Sequence, residues 1–474
     1  MRCAVASVAQ MSKGIAMDDW RWMTATALGQ GIDDGSIDPV ALTDVFLTAI
    51  DAHDHRDRIY ARVTADRARA EALAASNRAK TGLRRGPLDG VPVSWKDLFD
   101  TAGVATEAGT RLMAGRIPDA DAEVLRNATA AGLVCLGKTH LSEIAFSGLG
   151  LNPMTATPPN VNDPDVVPGG SSSGAAASVA FGLAAAAIGS DTGGSVRIPS
   201  AWNDITGFKT THGRLPLTGT VPLCLTFDTI GPLCRSVQDA ALLTAALEGS
   251  RAPDLRGTGE PLQLAILDTI ALEGVRPQPL AGFNAAVDRL RAAGAKVTHI
   301  ALPELAQAFA ASAALYTADS WAWWRDRIEA DPKAMFPQIY ERISAGRDVG
   351  AADYIAAWSM LRALRNTYAA ATAPFDAIIM PTAVILPPNV QRLLTDDEYY
   401  KTENLLALRN TRVANLMDLP AVSLPTGTSS CGIMLCGHTG QDDRLLRVAA
   451  QAEAALSSKR AATEKTQYVI KPLF

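Results

Sequence analysis

Residues 167–200 read V-P-G-G-S-S-S-G-A-A-A-S-V-A-F-G-L-A-A-A-A-I-G-S-D-T-G-G-S-V-R-I-P-S. A short apolar run, Ala184 to Ile188, lies between two small-residue loops that each carry serine. The run has the length of a buried strand and falls far short of the roughly 20 apolar residues needed to cross a bilayer. The loops are Gly169-Gly170-Ser171-Ser172-Ser173-Gly174 and Asp191-Thr192-Gly193-Gly194-Ser195. Glycine lets consecutive backbone N–H groups converge on one point, a geometry that side chains obstruct. An ordinary core segment does not need two such loops. They suit a chain that presents a serine hydroxyl beside unhindered backbone donors.

Similar strand-sized runs occur at 133–136 and 262–267, with helical stretches between them. That alternation predicts an α/β fold, a largely parallel or mixed sheet covered by helices on both faces. Gly90 to Trp95, Asp376 to Met380 and Ala421 to Leu424 add further strands. Residues 17–80 read as helices, with Val40, Leu42, Val45, Phe46 and Ile50 close to helical spacing. Asp121 is placed to cap a helix carrying Val124, Leu125 and Ala128 that ends at Gly132. Ser236 is placed to open a second, with Gly249 as its stop. Long helices are expected over 306–316 and 351–372. The organisation expected is a helical N-terminal layer (1–80) and an α/β domain (81–474). Within the latter, about 250–400 forms a variable helical insertion around the substrate pocket.

With 474 residues, 48% hydrophobic and 20% charged, the chain can bury a large core. A net charge of −5 without a long Lys/Arg cluster argues against nucleic acid as a partner. The six cysteines form no C-x-x-C pair and read as free thiols. The N-terminus lacks the pattern of a secretory signal, so a cytoplasmic location is expected.

A serine hydroxyl is a weak nucleophile and needs a base within hydrogen-bond reach. His140 and His212 are the histidines nearest the loops, and both read as structural. No H-E-x-x-H offers a metal site. A lysine can serve instead if burial keeps it neutral near pH 7. Lys96 follows the apolar residues Val91, Val93 and Trp95, a setting that desolvates an ammonium.

On these segments the chain resembles the amidase signature family. The matching pieces are Gly90–Asp97, Gly137-Lys138-Thr139, Pro168–Gly174 and Gly189–Pro199, in order, with weaker echoes at Gly207-Phe208-Lys209 and Asp228–Pro232. Lys96 and Ser171 are 75 residues apart, and Ser171 and Ser195 are 24 apart. The resemblance implies a Ser–cisSer–Lys triad. Ser195 would be the nucleophile, Ser171 the bridging serine after a cis bond from Gly170, and Lys96 the terminal base. The N–H groups of Thr192, Gly193, Gly194 and Ser195 would form the oxyanion hole. Ser172 would support Lys96 and Ser171 by hydrogen bonding, and Asp191 and Arg197 would brace the loop. It further implies hydrolysis of a carboxamide, aryl amide, carbamate or ester through an acyl-enzyme, with no metal or organic cofactor. The same triad serves the glutaminase subunit of an amidotransferase, and a non-catalytic binding protein is a more remote reading.

For the substrate pocket, the candidates are the loop residues Phe146, Leu149 and Leu151 and the aromatics Tyr316, Trp321 and Trp324. The 250–400 region offers few clustered charges opposite the motifs, and no carboxylate clamp for glutamine is evident. The expectation is therefore an apolar or aryl small-molecule substrate, hydrolysed by a monomer or homodimer without nucleic acid, membrane or accepting subunit.

Overall fold

The computed structural model describes residues 17–257 and 260–457. Its centre is one eleven-stranded mixed sheet. In chain order the strands are β1 (Tyr60–Val63), β2 (Pro92–Lys96), β3 (Val134–Thr139), β4 (Ala186–Asp191), β5 (Thr206–Lys209) and β6 (Thr229–Cys234), then β7 (Gln263–Leu267), β8 (Lys296–Ile300), β9 (Ala377–Pro381), β10 (Ala421–Pro425) and β11 (Gly432–Cys436). They lie in the order β1-β3-β2-β4-β6-β5-β10-β11-β9-β7-β8. Every residue of β2, β3 and β4 is buried, as in central strands covered on both faces. The outer strands carry charge: Arg62 on β1 and Lys296 on β8, which protects a sheet edge from further pairing.

The parallel pairing of β2 with β4 positions the site. Trp95 pairs with Ile188, so Lys96 comes level with the Gly189–Asp191 end of β4. Both strands end on the same side of the sheet, where α/β folds place their ligands. The first serine loop leads into the helix Ser173–Ala180, and the second follows β4 and leads into the helix Arg197–Trp202.

The strands expected near 90–95, 133–136, 184–188, 262–267, 376–380 and 421–424 are all present, with boundaries shifted by at most three residues. Four details differ. The 17–80 stretch contains β1 between its helices, and residues 1–16 of the expected N-terminal layer lie outside the described residues. Asp121 does not cap the helix Glu123–Ala130. Its carboxylate is taken by Arg67 and by the N–H of Ala102, and Ala122 stands at the cap. The helix expected over 306–316 extends over Leu305–Ala330. The 250–400 segment supplies β7, β8 and β9 to the common sheet as well as helices. Ser236 does cap its helix, Val237–Glu248, accepting from Asp239 N, and Gly249 closes it at φ 74°.

Cys135, Cys224, Cys234, Cys431 and Cys436 are buried free thiols, and Cys3 lies outside the described residues. No helix among the described residues is long and apolar enough to cross a membrane.

Candidate active site

Lys96, at the end of β2, is fully buried and donates from Nζ to Ser171 Oγ at 2.6 Å and to Ser190 Oγ at 2.8 Å. Burial lowers its amine to about 7, against the opposing pull of Asp191 and Asp228. The Gly170–Ser171 peptide is cis. The two loops are tied together beside these residues, Ser172 N donating to Ser195 O at 3.1 Å. Ser172 itself does not reach Lys96 or Ser171. Its hydroxyl donates to Ser190 O and accepts from Ser190 N, so Ser190 holds the amine and Ser172 holds Ser190. Ser190 stands within the quoted motif, but its role depends on the β2–β4 register, which the linear sequence does not display.

The Asp191–Ser195 loop is held by a buried ion pair and by one helix face. Arg197 Nε and Nη2 meet the two oxygens of Asp191 at 3.0 and 2.8 Å, both residues being fully buried. Burial pushes the Asp191 carboxyl up, but Arg197 outweighs it and holds the group well below the usual range. Leu408, Thr411, Arg412 and Asn415 fall at i, i+3, i+4 and i+7 on the helix Asp397–Leu416, one face of a 3.6-residue repeat. From that face Thr411 Oγ1 donates to Gly193 O at 2.7 Å, and Asn415 Nδ2 donates to Asp191 Oδ1 at 2.9 Å. Tyr316 OH donates to Thr192 O at 3.0 Å.

The four backbone donors expected to converge divide three to one. Gly194 N donates to Asp191 Oδ1 at 2.8 Å, so it braces the loop instead of facing the pocket. Gly194 has φ 139°, and a Cβ there would lie 2.1 Å from Thr411 Oγ1. The N–H groups of Thr192, Gly193 and Ser195 have no acceptor among the described residues. Ser195 Oγ likewise makes no hydrogen bond among them, and Ser195, Thr192 and Gly193 line one small pocket.

That pocket is also lined by Ala145, Phe146, Ser147, Leu223, Tyr316, Arg342, Leu408 and Arg412. Phe146 and Tyr316 are where the sequence placed them; the other four candidates are not. Trp324 is fully buried in the core, its Nε1 donating to Pro222 O, and Trp321 packs under the Arg347 guanidinium at 4.8 Å. A helix rises about 1.5 Å per residue, so the backbone at Trp321 and Trp324 lies about 7.5 and 12 Å, respectively, along the axis from Tyr316. Leu149 and Leu151 are buried scaffold, Leu149 O accepting from Gly169 N. The 250–400 region was expected to set few clustered charges opposite the motifs; it supplies Arg342 to the pocket, and Arg412, from further downstream, lines it too, whereas His140 and His212 do not.

Comparison with known proteins follows the same lines. The amidase family's sequence model matches residues 41–446. The chain is 34% identical to the 2-amino-5-chloromuconic acid deaminase of Comamonas testosteroni over 83% of this chain and 88% of that one. It is 33% identical to a glutamyl-tRNA(Gln) amidotransferase subunit from Anaeromyxobacter sp. (strain K), covering 90% of this chain and 95% of that protein. A solved structure described as an amidase superposes with a TM-score of 0.82 at 30% identity, over 91% of this chain and 99% of the other. With its serine loops, buried lysine and sheet order in place, the chain belongs to the amidase signature family.

Proposed function

We propose that this protein hydrolyses the C–N bond of a small carboxamide through an acyl-enzyme on Ser195. The observation that carries this reading is the buried Lys96 amine, 2.6 Å from Ser171 Oγ and lowered to about 7. A neutral amine there accepts the Ser171 proton while Ser171 accepts that of Ser195. Ser195 Oγ then attacks the carbonyl carbon and the C=O bond opens to an oxyanion. The free N–H groups of Thr192, Gly193 and Ser195 stabilise that charge as it develops. The proton returns through Ser171 to the leaving nitrogen, the C–N bond breaks, and an ester remains on Ser195. Water enters by the reverse relay and releases the acid.

A second reading rests on the relatives named as glutamyl-tRNA(Gln) amidotransferase subunits, which match the chain over nearly its whole length. Such a subunit works with a partner, and glutamine would be the amide cleaved. Ammonia release from simple primary amides, acid monoamides and glutamine by the isolated chain separates the two. We expect turnover of a simple amide by the chain alone. Release confined to glutamine, and only with a second subunit present, would replace this reading with the amidotransferase one.

A further inference from the structure

Two arginines and no carboxylate line the pocket beside Ser195. Its lining includes Arg342 and Arg412 but neither aspartate nor glutamate. Arg342 is fixed in place: Nη1 donates to Phe146 O at 2.9 Å and the guanidinium lies over the Phe146 ring at 4.1 Å. The Arg412 side chain makes no hydrogen bond and no ion pair among the described residues, and its Nη2 is shielded from solvent without a partner. Burial lowers both groups, Arg342 to about 9, and the Arg412 charge adds to the shift on Arg342. Two like charges thus face one small space and neither is neutralised by the protein. Removing ionised groups from water without a counter-ion opposes folding, so a chain that keeps two of them in a pocket gains by what they bind.

Position narrows the ligand. The Arg412 stem runs past the oxyanion loop, since a Cβ on Gly193 would lie 3.7 Å from Arg412 Cγ. An anion held there is only a few bonds from a carbonyl at Ser195. Guanidinium forks match planar carboxylates in a bidentate fashion, and the rest of the lining, Phe146, Leu223, Tyr316 and Leu408, suits a short hydrocarbon spacer. An α-amino acid amide would also bring an ammonium, and the lining offers it no acid while presenting two cations.

We infer that the substrate is the monoamide of a short dicarboxylic acid without an α-amino group, its free carboxylate clamped between Arg342 and Arg412 while its amide carbonyl meets Ser195. The inference rests on the proposed hydrolysis for its amide end only; the carboxylate clamp stands on the two arginines.

Two measurements test it. In the first, kcat/KM is compared for glutaric acid monoamide, succinic acid monoamide, the neutral amides pentanamide and butanamide, and glutamine. The better acid monoamide should exceed its neutral counterpart at least 100-fold and glutamine at least tenfold. Arg412→Gln should cut the acid-to-neutral ratio at least 30-fold, chiefly through KM, and Arg412→Lys should restore part of it. The second measurement needs no turnover: glutarate and its diamide are titrated calorimetrically into Ser195→Ala protein that is otherwise unaltered. Glutarate should bind at least tenfold more tightly. Equal binding of glutarate and diamide, or neutral amides processed as well as the acids, overturns the clamp whatever the fate of the arginine variants. If no amide is hydrolysed but glutarate still binds selectively, the proposed reaction fails and the clamp stands.

Discussion

Lys96→Ala lowers turnover about a thousandfold or more, while the protein still folds. The magnitude follows from losing the group that accepts the proton in the proposed serine relay, since members of such units commonly contribute 10³-fold or more. The wild-type pH profile should report the same group. Below pH 7 the amine carries a proton and accepts no other, so kcat/KM falls about tenfold per unit as pH drops. Above pH 7 the neutral form dominates and the rate levels off. The inflection therefore lies near 7, where burial has moved the amine, and not near the free-lysine value of about 10.4. A Lys96→Ala protein keeping more than about a tenth of wild-type turnover, or a profile that rises only above pH 10, would remove lysine from the reaction.

Arg197→Met destabilises the fold by about 3–5 kcal/mol, measured as a lowered denaturant midpoint, and abolishes turnover with it. Arg197 is fully buried and meets both Asp191 oxygens, Thr411 O and Asn415 Oδ1. Removing it leaves the Asp191 charge buried without its main partner, which is the costly way to break an ion pair. Joint replacement of Asp191 and Arg197 by apolar residues should cost less than the sum of the single changes. Full additivity would mean that the two side chains do not act as a unit. Turnover should stay lost in the double variant, because Asp191 also fixes Gly194 N and Val196 N, and with them the loop that presents Ser195.

Those loops were legible in the sequence for a physical reason. Their demands are local: Gly194 at φ 139° has no room for a Cβ, and small residues must surround a presented hydroxyl. The strands at 134–139 and 186–191 were legible because inner strands buried on both faces read as apolar runs. The pocket was not legible, because its lining is assembled from distant parts of the chain. Arg412 reaches the loop from the far downstream helix Asp397–Leu416, and Arg342 from a short helix, Pro337–Ser344, between the two. In sequence each is one arginine among many, and only folding brings the two together in a lining that contains Ser195 and no acid. The tryptophans misled for the opposite reason. Four aromatics within nine residues look like a cluster, but a helix rises about 1.5 Å and turns about 100° per residue, so Tyr316 reaches the loop while Trp324 is buried about 12 Å further along and Trp323, one residue before it, turns to the exposed side. Asp121 carried a sound capping signal and was claimed by Arg67, a tertiary partner that local pattern does not display.

The central claim is that Ser195, and not a serine of the 171–173 loop, becomes acylated. Reaction of the wild-type chain with a fluorophosphonate, followed by proteolysis and mass-spectrometric mapping, addresses it directly. The account predicts a single adduct on Ser195, lost in Ser195→Ala and formed more slowly in Lys96→Ala. An adduct on Ser171, Ser172 or Ser173, or no adduct on any serine, would contradict it.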